Sequence, residues 1–130
     1  MCNTVGWHLL RVILMLGYVP SASMTPAIRP NSYIIGMRIH GDLRRGDIVI
    51  FRRNERNLVK RIAAVSGDVV YVHGSTIRVN CALADAEQMI EVPDGYFYML
   101  GDNVDESFDS RHWEEPFVSE WDVLAKLFIR

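Results

Sequence analysis

From residue 32 to the end, the chain is a succession of short β-branched and aromatic segments separated by turn-forming residues. That rhythm predicts a mainly β fold, because strands favour such side chains while Gly, Asn, Asp and Pro interrupt them. Candidate strands cover residues 32–38, 47–52, 58–65, 69–73, 76–80, 96–100 and 123–129. Gly74 and Ser75 supply a two-residue hairpin turn, and Gly46 and Gly67 stand just ahead of strands, where a positive φ costs glycine little. Residues 82–89 have room for one or two helical turns within a connection.

No linker, repeat or low-complexity tract divides the 130 residues, so residues 1–130 are read as one domain. That length buries most of its apolar surface without help from disulfides or a structural metal. Cys2 and Cys81 form no disulfide framework, and the four His are scattered, so neither a metal nor a cofactor is expected. Net charge is only −2, yet it is sorted along the chain. Residues 1–80 carry 11 Lys and Arg against 4 Asp and Glu, and residues 81–130 carry 3 against 12. The halves are expected to neutralise each other in the fold. A nucleic-acid partner is not expected, since no recognition motif accompanies the basic half and the acidic half repels phosphate.

The first 19 residues are of another kind. Residues 5–19 are apolar except for His8 and Arg11. Such a stretch belongs in a membrane or in a core; as a helix it would reach roughly 22 Å at ~1.5 Å per residue, short of the ~30 Å hydrocarbon layer, so in a membrane it is expected to dip into one leaflet or to be a truncated anchor. A secretory signal is the other reading: Arg11, an apolar stretch, then Ser21, Ala22 and Ser23 as a small-x-small cleavage site.

The turn that follows, Pro20-Ser-Ala-Ser-Met-Thr-Pro26, sets small residues between two prolines. Fixed φ at both ends makes it rigid enough to lift one hydroxyl clear of the backbone, and Ser23 is read as a nucleophile. Downstream, period-two alternation places Leu58, Lys60 and Ile62 on one strand face and Val59 and Arg61 on the other. A lysine among apolar neighbours either snorkels to solvent or is desolvated into a base, with Arg61 expected to help as a nearby cation. Residues 101–111, Gly-Asp-Asn-Val-Asp-Glu-Ser-Phe-Asp-Ser-Arg, form a polar segment long for a β connection, and such loops are often functional.

Taken together, the turn, the segment 44–51 (Arg-Arg-Gly-Asp-Ile-Val-Ile-Phe), the lysine strand at 59–68 and the loop 101–111 resemble the motifs of type I signal peptidases, in family order. The resemblance implies a catalytic fold of two antiparallel sheets with a small β extension near residues 69–89, preceded by the short apolar segment. It implies a membrane-associated serine endopeptidase that removes signal peptides from secreted preproteins at small-x-small sites, without a cofactor or metal. By position, Ser23 is the nucleophile and Lys60 the general base. Ser107 orients the lysine amine, and the Ser21 hydroxyl joins the Ser23 N–H in an oxyanion hole. Arg61 is expected to pair with Asp102, and Asp109 with Arg111. A shallow pocket for small side chains draws on Val19, Met24, Ile28, Leu58 and Val59. The implied partners are preproteins and the lipid bilayer surface, and the implied location is the bacterial cytoplasmic membrane with the catalytic domain on its extracytoplasmic face.

The chain departs from the family pattern at Ala27, where Thr is usual, and at Val104, where Arg is usual. Two other readings share the fold: a self-cleaving Ser/Lys regulator of the SOS-repressor type, and a non-enzymatic membrane accessory.

Overall fold

The computed structural model describes residues 13–130. Among the described residues ten strands build two sheets: β1 (Leu14–Val19), β2 (Ser32–Met37), β3 (Ile48–Arg53), β4 (Arg56–Ala64), β5 (Val69–His73), β6 (Thr76–Val79), β7 (Gln88–Glu91), β8 (Tyr96–Leu100), β9 (Phe117–Ser119) and β10 (Val123–Leu127). The larger sheet has the order β1-β2-β10-β3-β4-β8-β9 and the smaller β6-β5-β7, with every pairing antiparallel. The expected extension is the smaller sheet itself.

β3 is the centre of the larger sheet, and its Ile-Val-Ile-Phe run is buried at all four positions. A strand covered on both faces has no solvent side to make polar, so the run is continuously apolar. Ile48 and Ile50 face a core with Val19, Met24, Ile28, Ile34, Ala125 and Leu127. Val49 and Phe51 face the opposite core, with Ile62, Phe97, Met99 and Val118. A third cluster under the smaller sheet joins Ala64, Val70, Val72, Val92 and Tyr98.

Three strands were not anticipated. β1 occupies the end of the apolar segment, where a helical dip was expected. Its side chains alternate, with Met15 and Val19 packed on the core and Leu16 and Tyr18 exposed, and its backbone pairs along its whole length with β2. Six residues with a sheet edge to join satisfy their amides by pairing, which a local apolar count does not register. Residues 5–12 of that segment lie outside the described residues. Residues 82–89 form no helix. A turn with Ala86 N–H donating to Leu83 O at 3.1 Å leads into β7, which completes the smaller sheet. β9 is only three residues long, too short for an alternation signal.

The β3–β4 hairpin turns on Asn54 and Glu55, both at positive φ (50° and 64°). Two such residues in succession are the signature of a turn that matches strand twist, although glycine usually takes the second place.

Candidate active site

The turn after β1 is closed from within: Asn31 N–H donates to Val19 O at 2.7 Å and Ile28 N–H to Met24 O at 2.9 Å. Met24 and Ile28 plug the core below, fully buried, so the turn is pinned by its apolar side chains. Ser23 sits between them and the cleft, 6% exposed. The Ser21 hydroxyl donates to Ser23 Oγ at 3.3 Å.

Lys60 lies on β4 with Leu58 and Ile62 on its own face and is 5% exposed. Its Nζ donates to Ser107 Oγ at 3.1 Å, and Ser107 Oγ donates to Asp109 Oδ2 at 2.8 Å. Burial lowers the Lys60 pKa; Asp109 pulls it back up and the Arg111 cation lowers it further. The helping cation is thus Arg111, and the expectation for Arg61 is corrected. Alternation sends Arg61 to the other face of β4, where Asp102 takes its charge through two 2.7 Å hydrogen bonds. Arg61 also donates to Gly46 O at 2.7 Å, which ties the segment 44–51 to this loop.

Asp109 is fully buried, and burial alone would push its pKa up. Donation from Arg111, from Gly101 N–H at 3.0 Å and from Ser107 outweighs that and holds the carboxyl below its ordinary value. An ionised Asp109 has only acceptors, so the Ser107 proton must point to it. Ser107 is left with lone pairs to accept from Lys60, and the lone pair of a neutral Lys60 amine is then free for a different partner.

The loop is clamped onto the serine turn by contacts that motif reading did not single out. Asn103 N–H donates to Ser23 O at 2.9 Å, and its side-chain amide donates to Ala22 O at 3.1 Å. Gly101 lies where turn and loop meet: a Cβ there would stand 2.1 Å from Ser107 Oγ and 2.6 Å from Ser23 O. Both residues fall within the polar segment already marked by composition, but their use depends on a turn 80 residues away. The Val104 departure leaves its carbonyl in use, accepting from Arg111 Nη2 at 2.9 Å.

Two clefts, each of about 370 Å³, open from Ser21, Ser23 and Lys60. One runs between the end of β1 and β4, with Val19, Leu58 and Val59 in its walls. Met24 and Ile28 do not line it, because they lie in the core beneath. Among the described residues the stretch of β4 before Arg61 has no partner opposite β3, since pairing with β8 starts at Arg61. Among the described residues no group of His, Cys, Asp and Glu is arranged to hold a metal ion.

An antiparallel β protein that brings a serine hydroxyl and a desolvated lysine amine to one cleft has the parts of a Ser/Lys hydrolase. The family described as "Signal peptidase, peptidase S26" matches residues 4–90 and 81–130. This chain belongs to that family. It is 32% identical over 134 residues to the probable signal peptidase I-2 of Synechocystis sp., covering 87% of this chain and 61% of that protein. It is 28% identical to the signal peptidase I of Leptolyngbya laminosa, covering 98% of this chain and 76% of that protein. The chain therefore spans 61% and 76% of these two relatives' lengths. The crystal structure of a signal peptidase I from Enterococcus faecalis superposes with a TM-score of 0.52 at 25% identity, covering 65% of this chain and 95% of that one.

Proposed function

We propose that this chain is a serine endopeptidase that removes signal peptides from preproteins at small-x-small sites, with Ser23 as nucleophile and Lys60 as general base. The observation that carries the reading is the buried Lys60 amine, donating to Ser107 and opening on the same cleft as Ser23. A preprotein segment lies in extended form against the stretch of β4 before Arg61, which has no strand opposite β3 among the described residues, and pairs with its backbone. Val19, Leu58 and Val59 leave room for small side chains and exclude large ones by overlap.

Ser23 Oγ attacks the scissile carbonyl carbon as its proton passes to the neutral Lys60 amine. The oxyanion that forms faces the Ser21 hydroxyl and the Ser23 N–H. Collapse breaks the C–N bond, the leaving amine takes the proton from Lys60, and the acyl group stays on Ser23. Water then attacks the ester carbon and gives its proton to Lys60; the bond from that carbon to Ser23 Oγ breaks, Ser23 Oγ takes the proton back, and the signal peptide leaves with a new carboxyl terminus. Among the described residues, those ahead of Ser23 are paired in β1 and form a wall of the cleft, which favours a substrate supplied by a second chain over self-cleavage.

The lipid bilayer surface is the second proposed partner, at the extracytoplasmic face of the cytoplasmic membrane. No helix among the described residues is long and apolar enough to cross a membrane. The outward face of the β1–β2 hairpin instead pairs Leu16 with Ile35 and Tyr18 with Tyr33, all exposed, just before the serine turn. Apolar surface of this kind, edged by tyrosine, suits the headgroup boundary. It would hold the cleft where signal peptides lie.

The decisive experiment is cleavage of a preprotein carrying an Ala-x-Ala site, with Ser23→Ala alongside. Cutting at that site by the parent and none by the variant is expected; substantial turnover by Ser23→Ala overturns the mechanism. Binding to anionic vesicles that falls in a Leu16→Lys, Ile35→Lys double variant supports the lipid placement, and unchanged binding overturns it.

A further inference from the structure

The second cleft leads from the same serine and lysine in another direction. It leaves β1 behind and runs past the β3–β4 hairpin to Glu106, Phe108 and Trp113. Ser107 has extended backbone, so its side chain turns inward to Lys60 while that of Phe108, the next residue, turns outward. Phe108 is 67% exposed and stacks on His112, with ring centroids 5.1 Å apart and planes 13° apart. Trp113 packs edge-to-face with Phe51, ring centroids 6.1 Å apart, and lies under the Arg53 guanidinium at 4.1 Å. Arg53 is itself tied to the carbonyl oxygens of Glu115 and Phe117. The result is a preformed aromatic wall beside the proposed nucleophile, made partly of a phenylalanine that belongs to none of the three core clusters.

We infer that this cleft is the subsite for the leaving segment, and that Phe108 and Trp113 select for an apolar or aromatic side chain within the first three residues after the scissile bond. The inference rests on the proposed peptidase function. Given that function, the occupant follows from continuity: both clefts share Ser21, Ser23, Arg56, Leu58 and Lys60. If the small side chains of the acyl half lie against Val19 and Val59, the chain beyond the cut has the other arm as its way out. Three extended residues reach roughly 10 Å at ~3.3 Å each, so the selection acts close to the scissile bond. Because Phe108 adjoins the residue that holds Lys60, a bound leaving segment also packs over the amine that must protonate its new N-terminus.

The test is a set of peptides with one Ala-x-Ala acyl half and Phe, Leu, Gly or Asp at each of the first three leaving positions, compared by kcat/KM. The parent protein is expected to prefer Phe or Leu over Gly at one of these positions by roughly 2- to 10-fold, the size of one aromatic contact. That ratio should fall towards one in Phe108→Ser, mainly through KM, and return in Phe108→Tyr. A general loss of structure would lower all substrates alike and leave the ratio unchanged. Equal ratios in the parent and Phe108→Ser overturn the subsite while the peptidase reading stands. Failure of the parent to cut any peptide of the series overturns both.

Discussion

The carbonyl oxygen of Ser23 lies 2.6 Å from the point where a Cβ on Gly101 would stand, so the serine turn and the polar loop meet with no space for a side chain. Gly101 has an ordinary φ, and its role is close approach, not conformational freedom. Gly101→Ala should therefore move Ser23 relative to Lys60 and lower cleavage about 100-fold or more, the general cost of a displacement near 1 Å at a reacting centre. Ser107→Gly in the same chain should not restore it, because the Ser23 backbone contact remains and the hydroxyl that holds Lys60 is lost as well. Cleavage within a few-fold of the parent would show that the two segments yield without consequence.

Lys60 makes opposite demands on activity and stability. Its pKa is lowered by burial, and only the neutral amine accepts the serine proton, so the rate should rise with pH through that lowered value. Below it the folded protein carries a buried ammonium, and between it and the ordinary lysine value the unfolded chain binds more protons. The destabilisation is therefore complete at low pH and is relieved as pH rises towards the unfolded value. Lys60→Met should lose about 100- to 10,000-fold in turnover yet unfold at a higher temperature than the parent at neutral pH, with the gain shrinking under alkaline conditions. Ser107→Ala should slow the reaction by freeing the amine. A rate flat from pH 5 to pH 9 would point to another base.

Asp109 has the reverse sign. Its donors hold its carboxyl below the ordinary value despite burial, so its contribution to stability is fully present above the unfolded pKa and is lost as pH falls through the folded one. Asp109→Asn leaves Arg111, whose side chain is 8% exposed, without its anion, and should cost about 3 to 5 kcal/mol. Denaturant titrations at pH 7 and pH 3 should show a smaller gap between parent and variant at the lower pH.

Arg61 and Asp102 form a bidentate pair with side chains 25% and 19% exposed. Solvent at that level weakens the pair without removing it, so a double-mutant cycle with Arg61→Met and Asp102→Asn should give a coupling of about 1 to 2 kcal/mol. Coupling near zero would mean that Gly46 and the loop are held by other contacts.

Much of this was legible because it is local. β-Branched and aromatic segments bounded by turn residues mark β3, β4, β5 and β8, and the four motifs in family order mark Ser23, Lys60 and the loop from Gly101 to Arg111. Period two puts Lys60 on one face with Leu58 and Ile62 regardless of partners, while its burial there, where it could equally have snorkelled to solvent, comes from the packing. What the chain order does not contain is which segments touch. β1 looked like a membrane segment because apolar content says that a stretch will be buried or interfacial, not which backbone will take its hydrogen bonds. Arg61 looked like the cation acting on Lys60 because it is next in sequence, whereas Asp102, 41 residues away, neutralises it and Arg111 is the cation brought beside the amine. Gly101 and Asn103 acquire meaning only when the loop closes on the turn at Ser23. Residue types and their periodicity determine faces and chemical capability. Pairing across the sheet decides distance, and with it which charges and hydroxyls act on one another.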